Sequence, residues 1–449
     1  MKMTMAVDIK SLIDKGQLKL LKQLISDQKP AKIVEMIEEL PAEEKIVVFR
    51  LLHKDQAANV FTELESDERM KLLSLFKEER LKELIETMDP DDRIEVFEEL
   101  PANVVRRLLA YLSPEERKQT LTLLNYPEDS AGRIMTPYYL DITDHFTADQ
   151  AIDYVRKEGS EKETVYTLFV IDDDRNLTGV VDLKDILFAS NDKKISDLMT
   201  KEPISADVYT LQEEVAQIMR DYDLLALPIV DSERRLVGII TIDDIVDFME
   251  ESATEDIQKM AAIGATETSY FHTSIFKLVK SRVSWLSVLL ILGSLAAFII
   301  DGYSEILQKV TILAAFIPAI TDMGGNAGGQ ISAMIIRSMA IGEIDKTQLK
   351  KVLIKEIVVG AILGVVLSLV MAVRAIFNTT DARVILSLGA SIMVVVMVSN
   401  LLGTILPFVA KKFKLDPAVI SGPLLTSIMD IISMAIYFSV AVLFLKDYL

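Results

Sequence analysis

The chain has 449 residues, of which half are hydrophobic and 26% are charged, so the two kinds must lie in different parts of it. The net charge is −24 before residue 271 and +5 from there onward, which together make the −19 of the whole chain. The absence of cysteine excludes disulfides and thiolate metal sites, so oxygen would be the main ligand of any bound metal, which favours Mg²⁺, Ca²⁺ or Mn²⁺. The N-terminus lacks the apolar core of a signal peptide, and we expect the acidic front part to stay in the cytoplasm.

A repeat occupies residues 41–124, which divide into seven blocks of twelve without an insertion. Positions nine and twelve of every block are apolar, a period typical of stacked short helices. We assign residues 1–134 to a superhelical N-terminal domain on this basis. Asp91 and Glu95, four residues apart, lie on one face of a predicted helix and are candidate metal ligands. The blocks begin at Pro41, His53, Glu65, Lys77, Asp89, Pro101 and Ser113.

Strands alternating with helices follow, in two similar halves. Leu168–Asp172 with 177–186 in the first half corresponds to Leu227–Asp231 with 236–245 in the second, and the halves open on Met135 and Met199. This tandem resembles a pair of CBS domains, β-α-β-β-α modules that dimerise and often bind adenosine nucleotides. We assign 135–192 to the first and 193–250 to the second.

The CBS resemblance implies where a nucleotide would bind. In that family a Ser or Thr three residues before an Asp contacts ribose and phosphate. The second half keeps this pair as Thr241 and Asp244, whereas the first half has Asp182 in place of the hydroxyl and keeps Asp185. The alternative is a CBS pair that serves only as a dimerising lever.

An acidic run, residues 243–256, joins the soluble modules to the apolar part; seven of its fourteen residues are acidic and none is basic. Close carboxylates repel by about 4 kcal/mol per pair at an effective dielectric constant of 20 unless a cation lies between them. We therefore predict a long acidic connecting helix over 251–276 that senses divalent cations, although several of these acids would be only a solvated face.

Five segments are long and apolar enough to cross a bilayer, and they make 277–449 a membrane domain. With the N-terminus inside, eleven Lys and Arg flank the inner ends and four flank the outer ends, which places the C-terminus outside. The segments are 283–300, 310–336, 357–373, 384–410 and 417–445.

Asp430 is the single charge in the fifth segment, where a carboxylate costs roughly 2.5–3.5 kcal/mol on insertion scales. Gly422, Thr426 and Asp430 recur at four-residue spacing and would share a helix face. The second segment carries Asp322 and four glycines in residues 323–330. By themselves, these glycines indicate either close helix packing or a broken helix that offers backbone carbonyls. Together with Asp322 and Asp430, they indicate a cation pathway.

Taken together, helical repeat, CBS pair, acidic connector and five spans resemble the MgtE family of magnesium transporters over nearly the full length. The most specific markers are 324–330, the Asp416-Pro417 pair, residues 421–424 before Asp430, and 253–256. The resemblance implies a homodimer in the lipid bilayer of the inner membrane, a pore aspartate at Asp430, and closure by cytoplasmic Mg²⁺ bound between acids. Carried over residue by residue, those acids are Asp91, Glu95, Glu213, Asp223, Asp244, Asp247, Glu255, Asp256 and Asp416.

Three positions depart from relatives. Gly422 replaces an amide found in some of them, and Asn59 and Ser252 stand where some carry acids. The expected function is a channel for Mg²⁺ uptake, gated by cytoplasmic Mg²⁺, with ATP as an additional ligand of the CBS pair. The alternative is an H⁺- or Na⁺-coupled divalent cation carrier or exporter that uses Asp430 as its coupling site. No enzyme activity, nucleic acid or protein partner is predicted.

Overall fold

The computed structural model describes residues 9–64, 66–98, 100–264, 273–420 and 422–448. Glu65, which starts one block, Ser421, and part of the predicted connector 251–276 lie outside this range. The chain forms two compact units, Met1–Glu250 and Glu251–Leu449, which are described separately.

The repeat forms helices as predicted: over the described residues of 41–124, each of the seven blocks contains one helix that begins just after the block's first residue. Each helix packs against the next but one, so positions nine and twelve line a continuous core. The last block is an exception, because Leu121 is 48% exposed while Leu123 enters the core of the second CBS domain. After Leu18–Ser26 and Pro30–Ile37, the helices are Ala42–Leu51, Lys54–Thr62, Ser66–Leu75, Glu78–Thr87, Pro90–Glu98, Ala102–Leu109 and Pro114–Leu124.

The two CBS domains form a four-stranded and a three-stranded sheet, and the fourth strand of the first sheet, Thr200–Lys201, comes from the segment assigned to the second domain. In each, the first strand pairs in parallel with the second, which continues into an antiparallel hairpin, as the β-α-β-β-α prediction requires. The strands are β1 Asp141–Thr143, β2 Thr167–Ile171, β3 Leu177–Asp182, β4 Thr200–Lys201, β5 Ala206–Asp207, β6 Ala226–Val230 and β7 Leu236–Thr241, with helices Ala131–Ile134, Ala148–Glu158, Leu183–Phe188, Ile195–Leu198 and Gln212–Asp221.

A buried cluster shared by the repeat and the second CBS domain joins these parts of the first unit. Ile94 of the helix Pro90–Glu98 packs with Ala131, Ile240 and Ile245. This contact brings the acids of Pro90–Glu98 close to the start of the helix Ile242–Met260, which we call the connecting helix. The connecting helix ends at Met260 instead of running to 276, because Ala262 adopts φ 53 and the chain turns there.

Four helices in the described part of the second unit are long and apolar enough to cross a membrane: Ile275–Gly302, Leu349–Ile376, Ala382–Lys412 and the region Pro417–Phe444. The helix Ile317–Ala340, here the glycine helix, spans 24 residues but carries a polar run, and it packs against Ala382–Lys412, here the central helix. The last region is broken into Pro417–Ile420 and Pro423–Phe444; the latter is here the aspartate helix. Ser304–Lys309 and the 3₁₀ turns Thr311–Phe316, Lys346–Gln348 and Lys446–Tyr448 complete the unit.

Candidate functional site

Asp430 lies two turns into the aspartate helix, half-buried in a bundle of apolar helices. Asp322 of the glycine helix lies close enough for its charge to act on Asp430. Within the described residues neither carboxylate has a hydrogen-bond or salt-bridge partner. Two uncompensated carboxylates at membrane depth are costly unless they face water or a cation. The arrangement can therefore attract a cation.

Gly422 and Thr426, predicted to share a helix face with Asp430, lie at and just after the start of the aspartate helix. Gly422 is not a helical residue but the N-cap of the aspartate helix, with φ 58 and ψ −125. Its carbonyl oxygen accepts hydrogen bonds from both the backbone N–H of Thr426 at 2.9 Å and its hydroxyl at 3.0 Å. The Gly422 carbonyl oxygen is therefore occupied by two hydrogen bonds, whereas the Thr426 hydroxyl is the donor and keeps the lone pairs of its oxygen.

The glycine helix is continuous, so the alternative of a broken helix that offers carbonyls is wrong and close packing is confirmed. A Cβ at Gly324 would overlap the hydroxyl of Ser433, and one at Gly325 would come within 2.7 Å of the Thr426 methyl carbon. On the other side, a Cβ at Gly403 of the central helix would overlap the carbonyl oxygen of Gly328. These glycines let three helices meet around Asp430.

A second acidic cluster lies in the first unit, at the start of Pro90–Glu98. Oδ1 of Asp91 is buried without a hydrogen-bond partner among the described residues. The charges of Asp92, Glu163 and Asp244 all act on it. Repeat, first CBS domain and connecting helix thus each contribute a carboxylate to this point. We call Asp91, Asp92, Glu163 and Asp244 the acidic cluster.

Burial dominates the electrostatics of the acidic cluster. It raises the pKa of Asp91 well above its usual range, with the charge of Asp244 adding to the effect. Burial likewise raises the pKa of Asp92 to about 7, and that of Glu163 to about 7. For Asp244, burial raises the pKa to about 6 against the lowering effect of its hydrogen bonds with Thr241. Because ionised carboxylates crowd here without a cation, protonation or a bound cation would relieve the repulsion.

Buried Arg93 anchors the helix that presents Asp91 and Asp92. Its guanidinium donates to the carbonyl oxygens of Ile85 at 3.0 Å and Met88 at 2.8 Å, and to the Thr120 hydroxyl at 3.2 Å. These bonds tie Pro90–Glu98 to its neighbours and keep Arg93 from forming a salt bridge with the acids beside it. Asp91 and Asp92 therefore have no salt bridge with Arg93 and can bind another partner.

Other predicted sensor acids lie elsewhere. Glu95 is 61% exposed and pairs with Arg69 at 3.1 Å, although its charge still acts on Asp92. Glu213 is in the first turn of Gln212–Asp221 and Asp223 follows that helix, so about 15 Å of helix separates them. Both are exposed, and neither charge acts on the acidic cluster. Asp247, one turn beyond Asp244 on the connecting helix, does add its charge to that of Asp244.

The predicted nucleotide residues are placed unequally. The hydroxyl of Thr241 donates to Asp244 at 2.6 Å, so this pair is organised at the end of β7 as the CBS pattern requires. In the first half Asp182 pairs with Lys184 at 3.2 Å, which offsets part of the charge that would repel a phosphate. Asp185 lies exposed on the helix that follows.

The acids where the connecting helix ends are already compensated. The ammonium of Lys259 lies 2.7 Å from Oε1 of Glu255 and 2.7 Å from Oδ2 of Asp416. Burial lowers the pKa of Lys259, but these hydrogen bonds outweigh it and raise the pKa above its usual value. Because the ammonium occupies the space between the two carboxylates, they do not fit a divalent cation here. Asp256, the next predicted ligand, has an interaction of its own.

Across the described residues, no three His, Asp or Glu side chains come together as a finished metal-binding set. Waters or a second copy of the chain would have to complete the coordination of any ion. For Mg²⁺, which keeps several of its waters when bound, a few carboxylates suffice.

Comparison with known proteins agrees with these features. A family described as MgtE, divalent cation transporter, matches residues 317–440; the MgtE intracellular N domain matches 28–129, and CBS domains match 131–192 and 195–251. The magnesium transporter MgtE of Thermus thermophilus is 34% identical over 98% of this chain and 99% of its own. The chain belongs to the MgtE family.

Another MgtE, from Bacillus subtilis, is 36% identical over 74% of this chain and 73% of its own. The soluble part is similar to a crystal structure of the cytosolic domain of the Mg²⁺ channel MgtE in complex with ATP, with a TM-score of 0.52 and 32% identity over 54% of this chain and 99% of that one. MgtE proteins are transporters and channels, not enzymes.

Several residues that shape these sites escaped prediction. Glu163 and Asp92 join the acidic cluster, and Lys259 occupies the Glu255–Asp416 contact. Asp92 directly follows a predicted ligand, so the helix start was a usable signal. Glu163 carries none, because it lies in a turn outside both CBS hairpins.

Proposed function

We propose that this protein is a magnesium-selective channel of the cell membrane that mediates Mg²⁺ uptake and is closed by cytoplasmic Mg²⁺. The observation that carries the proposal is Asp430, a half-buried carboxylate with no partner among the described residues, in a chain of the MgtE family. Mg²⁺ prefers oxygen ligands and dehydrates reluctantly, so Asp430 would hold the hydrated ion through its waters. Ring charge and the size of the hydrated ion then give selectivity.

A homodimer follows from the chemistry of this site. Two copies facing each other would present both pairs of Asp430 and Asp322 to one pathway, where waters would complete the coordination of the ion. The C₂ dimer is the commonest assembly of identical chains.

Closure by cytoplasmic Mg²⁺ would act at the acidic cluster, which fits the ion because Oδ1 of Asp91 is buried and lacks a partner. Asp91 would bind it, with Asp92, Asp244 and Glu163 acting through the waters of the ion, and the bound ion would supply the positive charge that these carboxylates lack. Carboxylates from the repeat and from the connecting helix then stay together, whereas without the ion they repel. An ion that binds only the compact form shifts the channel toward closed.

The glycine helix would be the fifth span, with 24 residues and roughly 36 Å of length. Its polar run is tolerable in a bilayer because glycines and Asp322 face other helices or the pathway. Five crossings would place the N-terminus and regulatory domains in the cytoplasm and the C-terminus outside. The proposed domains are 1–134, 135–192, 193–250, 251–276 and 277–449.

ATP is the proposed second regulatory ligand. Thr241 and Asp244 form the organised half of the nucleotide pocket, and the ATP-bound cytosolic domain of a relative supports this. Because Asp244 also belongs to the acidic cluster, nucleotide and Mg²⁺ would influence each other there.

The test is to record currents from wild type and Asp430→Asn while cytoplasmic Mg²⁺ is stepped through the millimolar range. Glu305→Gln is the matched control, since Glu305 is an exposed acid paired with Lys309 outside the bundle. We expect wild-type current to fall as Mg²⁺ rises, Asp430→Asn to conduct little, and Glu305→Gln to behave as wild type. Mg²⁺ flux without current, driven by a proton or sodium gradient, would instead support the coupled carrier.

A further inference from the structure

Lys259, in the last turn of the connecting helix, reaches outside its own helix. Its ammonium binds Glu255 one turn earlier and also Asp416, which directly precedes the last membrane region, each at 2.7 Å. Lys259 is 25% exposed and Asp416 34%, so water screens this pair only partly.

Both carboxylate oxygens of Asp416 are used. Oδ1 accepts the backbone N–H of Ala418 at 2.8 Å, which starts the short helix Pro417–Ile420, and Oδ2 accepts the ammonium. The local bond fixes where the carboxylate points, so the lysine meets a preorganised acceptor.

A second contact lies next to the Lys259–Asp416 pair. The carbonyl oxygen of Met260 lies against Gly422, where a Cβ would overlap it. Beyond the turn at Ala262, the backbone N–H of Gly264 donates to the carbonyl oxygen of Ser281 at 2.9 Å, within the first membrane helix Ile275–Gly302. The end of the connecting helix is thus held at three successive points on the membrane helices.

We propose that Lys259 is a tethered cation that holds the end of the connecting helix on Asp416, at the start of the short helix Pro417–Ile420, without a metal ion. Glu255 and Asp416 would repel if they met alone, and a divalent ion is one way to join them. Lys259 supplies that charge covalently, so it is always present. The contact itself does not depend on the proposed function; only its consequence for gating does, namely that Mg²⁺ dependence resides in the acidic cluster and not here.

The test measures this contact directly. Because the chain has no cysteine, spin labels placed by Ile257→Cys and Phe413→Cys are the only ones; both positions are well exposed, at 68% and 69%. Distances between them are measured by pulsed electron resonance in full-length chain, diluted with unlabelled chain, in EDTA and in millimolar Mg²⁺. Wild type should give one narrow distance in both conditions.

Lys259→Met should lose the narrow distance in EDTA and recover it in Mg²⁺, because Glu255 and Asp416 are then free to share the ion. Asp416→Asn should lose it in both conditions, and Lys259→Arg should keep it. Lys412→Met, an exposed lysine on the neighbouring end of the central helix, is the matched control and should match wild type.

A narrow distance for Lys259→Met and Asp416→Asn in EDTA would overturn the proposal, as would a wild type that broadens in EDTA. If Lys259→Met fails to insert into the membrane, Asp416→Asn tests the same contact by removing the other partner. No transport is measured, so a chain that conducts nothing can still confirm the tether, and a conducting chain can still refute it.

Discussion

Asp91 shows how much one side chain depends on its surroundings. Its spacing from Glu95 suggested a shared pair, but Glu95 turns to Arg69 while Asp91 turns inward, and burial leaves Oδ1 without a partner. A buried unsatisfied carboxylate is expensive, and Asp91 tolerates it by holding a proton or, in our proposal, by binding a cation.

The pH dependence of the metal-free protein follows from the acidic cluster. The folded pKa values of Asp92 and Glu163 are about 7 and that of Asp244 about 6, all above the unfolded values near 4. The folded form therefore binds more protons between pH 4 and 7, so the stability that these three groups contribute is complete below pH 4 and is lost as pH rises from 4 to 7.

In EDTA we expect the unfolding temperature of the first unit, followed by circular dichroism of the full chain, to fall from pH 5 to pH 8. One kcal/mol corresponds to about 2–4 °C in a unit of this size. Millimolar Mg²⁺ should restore the loss at pH 8, and Asp91→Asn should reduce both the loss and the Mg²⁺ effect. A flat profile in EDTA would contradict the proposed cluster.

Two helices of the repeat differ in how deeply they bury the same position of the twelve-residue pattern. Ile85 and Leu121 both hold position nine of a block, but Ile85 is fully buried and Leu121 is 48% exposed. Ile85→Ala should destabilise the helical domain by about 2–5 kcal/mol, and Leu121→Ala by less than about 0.5 kcal/mol. Hydrogen exchange of Glu78–Thr87 in the full chain measures the first. Equal losses would mean that the last block packs like the others.

The glycine helix offers another matched pair. Gly324→Ala forces a methyl group onto the hydroxyl of Ser433, which should cost about 1–3 kcal/mol and displace the aspartate helix. Nothing lies within 4 Å of a Cβ at Gly329, so Gly329→Ala should be neutral or stabilising by up to about 1 kcal/mol. Thermal unfolding in detergent and Mg²⁺ currents should both separate the two. Equal unfolding temperatures and currents for Gly324→Ala and Gly329→Ala would contradict close packing of Gly324 against the aspartate helix.

The number of crossings is a property of the whole molecule. Four helices in the described residues qualify by apolarity, and the glycine helix decides whether the proposed fifth exists. If it crosses, a cysteine introduced at Glu343 faces the cytoplasm and one at Asp447 faces outside; if it does not, both sides are exchanged.

Labelling intact cells with an impermeant maleimide distinguishes these cases, since the chain has no cysteine of its own. We expect Asp447→Cys to react and Glu343→Cys to react only after permeabilisation. Gln308→Cys, in the short helix Ser304–Lys309 after the first membrane helix, should react in both cases and serves as the positive control.

The sequence by itself determined the parts whose signals are local and repeated. The twelve-residue period, the duplicated CBS pattern and the long apolar runs each arise from neighbours a few residues apart, and each formed the predicted helices or strands. Asp430 could be identified from the sequence for the same reason, because a single charge in an apolar segment is recognised from its immediate neighbours alone.

Only the tertiary structure decided which distant charges meet. Asp91 meets Asp244 because the repeat packs on the second CBS domain, Glu163 of the first CBS domain adds its charge there, and Lys259 binds Asp416 where the connecting helix ends. Gly422 turned out to cap a helix, with its carbonyl bound to Thr426. Such pairings depend on long-range packing and on where helices stop, and one-dimensional spacing does not encode either.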